Sequence, residues 1–480
     1  MKFRYLNKNI FNRRVNKKVH SIHFIGIGGI GMSGLAKVLL EMGYRVSGSD
    51  IRENDLTQQL KDKGAIIYQG HSSSHLSQAD LVVVSSIISP DNPELEEARK
   101  RDIPIISRGK LLSYFVNEAE GIVVAGTHGK TTTTSLIYVI LKEAGGNPTT
   151  FVGGELKEMG GNSELGTDKY VVAESDESDG SFLLLCPQIS VITSLEDDHL
   201  DYYGSQDKLV KSFIQFGKRL KPGGTLIANN DDQNLRRVLK EISLNSSQKL
   251  ITYAVNSEAD LLADNLRLRE FSSFYRVNYK GKVLGEVNLP LPGQYNIYNS
   301  LAAISVGILL GIHWGRIQNA LFSFQGVGRR FERIGETTSS ILVIDDYAHH
   351  PTEIKATLKV AKNLKRRVIA IFQPHRYSRT KLLLDKFASC FEKADVLLLT
   401  DVYPAGEKPI CGVNGKMLFD AVRRKRKKET FYFPTKQGIV DFLRRNTKRG
   451  DLILTIGAGD IRQVGEEFLR LQSVTPGERR

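Results

Sequence analysis

The stretch Val123-Val-Ala-Gly126-Thr-His-Gly129-Lys130-Thr131-Thr132 decides how this chain is read. An apolar run, a tight glycine turn and a run of hydroxyl residues predict a strand, a loop and a helix start. Backbone N–H groups of such a loop cradle phosphates, the Lys reaches the β- and γ-phosphates, and the following Thr hydroxyl ligates Mg²⁺. The longer GxxxxGK[ST] form is incomplete, because Val124 stands where its first glycine belongs. The short form GxxGKT keeps every working part. Gly126, Thr127, His128, Gly129, Lys130, Thr131 and Thr132 are therefore candidate triphosphate-binding residues.

Magnesium takes oxygen ligands, often one or two carboxylates plus phosphates. Downstream of the loop, two apolar runs end in such groups. One closes on Glu174 and is followed by Asp176, Glu177 and Asp179. The next, 189–194, leads into Leu195-Glu196-Asp197-Asp198-His199-Leu-Asp201. Open α/β sheets bind ligands at the carboxyl ends of their strands, so both ends are expected beside the phosphate loop. His199 among these acids fits a surface ion pair or a ligand, and the residues alone leave both open. Further on, Gly293-Gln-Tyr295-Asn296-Ile-Tyr-Asn299 starts a helix, with its two Asn one turn apart on one face. The amides suit an adenine edge, but on spacing alone helix capping by Asn296 is the better account.

Upstream, Gly26-Ile-Gly28-Gly-Ile-Gly31 lies between an apolar strand at 22–27 and a helical pattern, and Asp50 ends the next strand. This is the dinucleotide-binding fingerprint in its proper setting. A nicotinamide cofactor, another nucleotide diphosphate, or plain helix-on-strand packing each satisfies it. In the last third, Asp345-Asp346-Tyr347-Ala-His349-His350-Pro351 follows a strand at 341–344. Gln373-Pro-His375-Arg376-Tyr377-Ser-Arg379 follows a strand at 368–372. Arg376 and Arg379 can clamp a carboxylate or phosphate. Two such clusters on successive strand ends suggest a pocket, with Gly457-Ala-Gly459-Asp460 as its floor.

With 480 residues the chain has room for about three domains. Apolar runs alternate with helical patterns, the sign of parallel sheets with crossover helices. The expected architecture is α/β in three domains: a Rossmann-like N-terminal domain over 20–116, a central P-loop ATPase domain with a mostly parallel sheet over 117–328, and a Rossmann-like C-terminal domain over 329–480. A basic extension, 1–19, precedes them. Apolar residues at 41% and charged residues at 25% exclude a disordered chain or a stalk. No apolar run approaches the ~18 residues of a membrane span. Cys186, Cys390 and Cys411 form no CxxC pair, which excludes a disulfide framework and points to a reducing, cytoplasmic compartment. The net charge of +14 favours anionic partners. Part of it lies in 1–19 and part in the run 423–428, read as a solvated tail and a solvated helix face. The tail lacks the apolar core of a secretory signal and the serines of a transit peptide.

Taken together, HFIGIGGIGMSGLA, GTHGKTTTT, ESDESDGSF, EDDHLDYY, GQYNIYN, GVGRRFE, DDYAHHPTE, FQPHRYSRT and DVYPAGE resemble the Mur ligases, in particular those joining L-alanine to UDP-N-acetylmuramate. The resemblance runs in order from about His20 to Asp460. GTHGKTTTT is common to related ligases, whereas DDYAHHPTE, FQPHRYSRT and HFIGIGG are more specific. The resemblance implies that the first domain holds UDP, with Gly28, Gly29, Ile30, Gly31, Asp50, His71 and Ser85 near the nucleotide. It implies ATP on the Lys130 loop, Mg²⁺ on Thr131, Glu174 and His199, and adenine against Asn296 and Asn299. Arg330 and Asp346 would complete the ATP site. Tyr347, His349, Arg376 and Arg379 would form the amino-acid pocket, with His349 as candidate base. The implied reaction passes through an acyl phosphate in peptidoglycan precursor synthesis. The implied partners are UDP-N-acetylmuramate, L-alanine and ATP, with no nucleic acid and no membrane, for a monomer or homodimer. Tyr295 departs from the family, which usually has His there.

Three rival readings share parts of this pattern. A sibling ligase that attaches a recycled peptide to the same sugar nucleotide also carries GTHGKTTTT. A nicotinamide oxidoreductase leaves Lys130, Glu174 and His199 unexplained. A nucleic-acid-binding NTPase suits the charge, but the basic run 423–428 has no aromatic residue interleaved with it.

Overall fold

The computed structural model describes residues 19–198 and 200–473. His199, residues 1–18 of the basic extension and residues 474–480 lie outside the described residues. Three sheets organise the chain, in keeping with the α/β class expected.

The first sheet has the order β3-β2-β1-β4-β5 and is parallel throughout. Its strands are β1 Ser21–Ile25, β2 Arg45–Asp50, β3 Ile66–Gln69, β4 Leu81–Val84 and β5 Ile105–Ser107. The strand order reverses beside β1, and a crevice opens at such a switch point. Helix α1, Ile30–Glu41, leaves β1 through the glycine turn. Helix α2, Pro93–Lys100, follows β4, and α3, Arg108–Glu118, follows β5.

The second sheet has ten strands in the order β15-β14-β13-β12-β11-β10-β6-β9-β7-β8. They are β6 Glu120–Ala125, β7 Thr149–Leu156, β8 Gly161–Glu164, β9 Tyr170–Glu174, β10 Ile189–Ile192, β11 Thr225–Asn229, β12 Lys249–Ala254, β13 Leu261–Leu268, β14 Ser273–Tyr279 and β15 Lys282–Leu289. The central strands β6, β9, β10 and β11 pair in parallel. Ile122, Val123, Val124 and Ala125 of β6 are wholly buried, as expected of a strand covered on both faces. Helix α4, Lys130–Glu143, follows β6, and α5, Gln294–Leu309, follows β15. The antiparallel hairpin β14–β15 did not show in the strand–helix alternation. Its turn is Lys280-Gly281 at φ 49° and 78°, the left-handed pair that suits a two-residue hairpin.

The third sheet has the order β16-β17-β21-β18-β19-β20. Its strands are β16 Glu332–Glu336, β17 Leu342–Asp346, β18 Val368–Phe372, β19 Val396–Leu399, β20 Thr430–Tyr432 and β21 Leu452–Ile456. Only β16, on the edge, pairs antiparallel. Helix α6, Pro351–Asn363, follows β17.

The first two sheets belong to one compact unit. The third sheet belongs to a second unit, which also takes in Leu268–Ser272 and Leu291–Tyr295. Tyr295 packs on the core of this second unit with Phe331, Ile344 and Phe372. One reading of the basic run needs correction. Arg426 is not on a solvated face. It is buried, and its guanidinium donates to the carbonyls of Phe391, Ala394 and Asp395. Its neighbours Arg423, Arg424, Lys425, Lys427 and Lys428 are exposed as expected. Cys186 is half-buried, Cys390 buried and Cys411 exposed, all as free thiols. No described helix is long and apolar enough to cross a membrane.

Candidate active site

The phosphate loop spans the gap between β6 and α4. Gly126 (φ +129°) and Gly129 (φ +83°) take conformations that favour glycine. Space demands glycine as well. A Cβ on Gly126 would lie 2.3 Å from Thr193 Oγ1, and one on Gly129 would lie 2.2 Å from Asn299 Oδ1. The end of β10 pins the loop: Thr127 N donates to Ser194 O, His128 N donates to Ser194 Oγ, and Thr193 Oγ1 donates to His128 O.

Lys130 folds back over this loop. Its Nζ donates to Gly126 O at 2.6 Å and to Glu177 Oε1 at 2.8 Å. Burial works to lower its pKa, but the carboxylates of Glu177, Glu174 and Asp176 outweigh burial and raise it. The ammonium is therefore fixed and charged. Thr131 Oγ1 donates to Glu174 Oε1 at 3.1 Å, and Gly153 N donates to the other oxygen of Glu174. A hydroxyl and a carboxylate thus meet at the helix start, as the sequence suggested. Asn299 and Asn296 are buried and bonded to each other at 3.2 Å. Helix α5 begins at Gln294, so Asn296 lies inside its first turn and is not the cap. Asn299 also accepts from Thr133 Oγ1 at 3.4 Å, which sets the pair against the phosphate loop and the start of α4.

The first sheet ends in a second nucleotide-type turn. Gly28 N donates to Asp50 Oδ2 at 2.9 Å, and Asn54 Nδ2 donates to Gly28 O. Helix α1 starts after Gly29 with no side-chain cap and no acid in its first turn. The acid at this positive end comes instead from β2, as Asp50 on Gly28 N. Ser85 flanks Gly26 across the switch point. Gly28, Gly29, Ile30, Gly31, Asp50 and Ser85 thus share one edge. His71 joins them after β3 through a residue that sequence reasoning missed. Glu94 is wholly buried at the start of α2 and accepts from Ser49 Oγ at 2.5 Å and from His75 Nδ1 at 2.6 Å. His71 Nδ1 lies 3.2 Å from the same carboxylate. Burial would push Glu94 up, but His23, Ser49 and His75 hold it down to about 2. An ionised Glu94 only accepts, so it fixes Nδ1–H on both His71 and His75. The "PELEE" start reads as an acidic helix cap, and nothing in the pattern signals its burial.

In the second unit, Arg330 lies between two left-handed residues, Arg329 at φ 62° and Phe331 at φ 49°. Such conformations cost about 1–2 kcal/mol each. The loop is held by Asp346, whose oxygens accept from Phe331 N and Ala348 N at 2.8 Å. Burial raises the Asp346 pKa to about 6 against the pull of Arg330. Asp346 therefore anchors the Arg330 loop. Asp345 does the same for Arg329, at 3.0 Å. The Tyr347 ring receives both guanidinium groups, Arg329 at 4.9 Å and Arg330 at 5.2 Å.

His349 Nδ1 lies 3.0 Å from Tyr347 O. A carbonyl only accepts, so the proton is on Nδ1 and Nε2 is the basic nitrogen. His349 faces His375, which stacks on Tyr403 and contacts Arg379 at 3.4 Å. Burial, with His349, Arg379 and Arg376 nearby, holds His375 down to about 2, so it stays neutral. Arg376 has φ 69°, and its buried Nε has no hydrogen-bond partner among the described residues. Tyr347, His349, Arg376 and Arg379 thus belong to one cluster at the strand ends β17 and β18. Gln373 binds Asp460 at 2.9 Å, which ties in the predicted floor.

Comparison with known proteins gives the same order of parts. Three family models match in succession: the Mur ligase family catalytic domain over 21–120, the Mur ligase middle domain over 124–307, and the Mur ligase glutamate ligase domain over 329–459. A UDP-N-acetylmuramate–L-alanine ligase of Pelotomaculum thermopropionicum is 47% identical over 95% of this chain and 98% of its own. The ligase of the same name from Trichlorobacter lovleyi is 44% identical over 94% and 99%. Among solved structures, the UDP-N-acetylmuramate–alanine ligase of Thermotoga maritima superposes with a TM-score of 0.80 at 31% identity, over 94% of this chain and 99% of that one. A murein peptide ligase of Psychrobacter arcticus gives 0.73 at 26% identity, over 95% and 99%. With three matched models in order and relatives covered almost end to end, the chain belongs to the Mur ligase family.

Proposed function

We propose that this chain joins L-alanine to the carboxylate of UDP-N-acetylmuramate at the expense of ATP, in the cytoplasm, as a step of peptidoglycan precursor synthesis. The observation that carries it is the charged, buried Lys130 over a two-glycine loop, in a chain close to half identical to ligases of that name. The residues 20–116 would hold the sugar nucleotide, 117–328 ATP, and 329–480 the amino acid.

Phosphoryl transfer needs positioning and charge neutralisation more than covalent help. The muramate carboxylate attacks the γ-phosphoryl group, and ADP leaves. Lys130 and Arg330 stabilise the charge that spreads over the transferred oxygens. Thr131 and Glu174 offer oxygens that suit Mg²⁺, with His199 as third member, and the ion would neutralise phosphate charge there. Arg376 and Arg379 hold the alanine carboxylate. His349 Nε2 takes the ammonium proton, and the freed amine attacks the acyl phosphate. Phosphate is expelled, carrying off the second amine proton, and the amide remains. Asn296 and Asn299 serve the ATP site by ordering the phosphate loop, with adenine beyond them.

The test is phosphate release from Mg-ATP with UDP-N-acetylmuramate and each amino acid in turn. Release that needs both the sugar nucleotide and L-alanine is expected. Release that ignores alanine and answers to a peptide would move the assignment to the recycling ligases. Release indifferent to the sugar nucleotide would overturn the reading altogether.

A further inference from the structure

Arg108 opens α3 at the end of β5, on the sheet edge that carries Gly28, Asp50 and Ser85. Its side chain lies across Gly31. A Cβ on Gly31 would come within 3.1 Å of Arg108 Cδ and 3.2 Å of Nη1. The third glycine of the turn therefore makes room for a guanidinium. The neighbouring residue is locked as tightly. A Cβ on Gly109 would sit 2.3 Å from Ser181 Cβ, so the loop after β9 presses directly on the start of α3.

That loop supplies the carboxylates nearest Arg108, and they hold it weakly. Arg108 Nη2 stands 3.4 Å from Asp176 Oδ2 and 3.9 Å from Asp179 Oδ2. A well-made guanidinium–carboxylate bond is about 2.7–2.9 Å. Each Asp spends its other oxygen on backbone, on Ser178 N and Ser181 N. The Arg108 side chain is 17% exposed, which is enough for a ligand to reach it. A mostly buried cation in long, unforked pairs, laid over a phosphate-type turn, is arranged to take a stronger anion. A diphosphate accepts the planar fork of Arg in two parallel bonds.

We propose that Arg108 binds the diphosphate of the sugar nucleotide. This rests on the sugar-nucleotide reading of the first domain given above and adds a residue to it. The loop that holds Arg108 also carries Glu177, the partner of Lys130 at 2.8 Å, so Arg108 stands between the sugar-nucleotide turn and the ATP loop.

The experiment compares the inhibition constants of UDP and uridine against UDP-N-acetylmuramate in the full-length enzyme. In R108A, UDP is expected to weaken about 30-fold and uridine less than about 2-fold, from the loss of a charge-assisted bidentate bond. KM for the sugar nucleotide rises in step, while KM for ATP and alanine holds. If R108A fails to fold, R108K carries the test: it keeps the charge, loses the fork, and is expected to weaken UDP about 5-fold. Equal weakening of UDP and uridine, or no weakening of either, would overturn the role of Arg108 and leave the sugar-nucleotide reading standing. A wild-type enzyme that neither UDP nor uridine inhibits would overturn both.

Discussion

Lys130 keeps its charge in a buried place because three acids surround it. Lys130→Ala should cut alanine-dependent phosphate release by about three orders of magnitude, since a preorganised charge at the transferred group is removed. Thermal unfolding should move little, and near-normal turnover would refute the phosphate-loop role. Glu94 poses the opposite case, an acid kept ionised in the core. Its folded pKa of about 2 lies below the ordinary 4.5, so it adds stability above pH 4.5 that is lost as pH falls through about 2. Glu94→Gln should therefore cost about 3 kcal/mol at pH 7, and its deficit against wild type should shrink between pH 4.5 and 2. A deficit independent of pH, measured by denaturant unfolding, would rule this out. The two residues differ in legibility for a physical reason. Lys130 and Glu174 sit at strand ends beside glycines, and that local pattern is visible in the chain. Glu94 gains its role from His23, Ser49, His71 and His75, brought together by the first sheet.

At the scale of elements, the strand β10 acts as a clamp on the phosphate loop. Gly126→Ala would drive a methyl against Thr193 Oγ1 and, at 2.9 Å, against the backbone of Ser194. Backbone cannot rotate away, so a loss of about 2–4 kcal/mol and at least a 10-fold rise in KM for ATP are expected. Melting curves and initial rates would check both. The buried parallel strands were legible because their apolar runs are continuous: β18 falls where expected. The strands β13 and β15 were not, because both mix exposed polar residues with few buried ones. Arg426 was misread for the same reason. A run of six basic residues looks alike along its length, and only the fold turns one of them inward. Arg426→Ala should destabilise the second unit by about 2–3 kcal/mol by orphaning buried carbonyls.

By contact, the molecule divides into two units. The first two sheets are bound into one by cores that run together, with Leu39 and Phe115 in the same cluster as Val123 and Phe213. The second unit has cores of its own. Units with separate cores unfold at separate stabilities. The sole tryptophan, Trp314, lies in the first unit. Its fluorescence should report that unit alone, while far-UV circular dichroism reports both. The two probes should give non-coincident transitions, and R426A should shift only the one that fluorescence does not see. A single transition common to both probes would show that the molecule unfolds as one. The thiols offer a complementary view. Cys411 is exposed on the second unit, while Cys390 is buried and Cys186 half-buried beside Arg219. A maleimide dye would therefore attach preferentially to one natural position, and the unmutated protein carries its own labelling handle on the second unit.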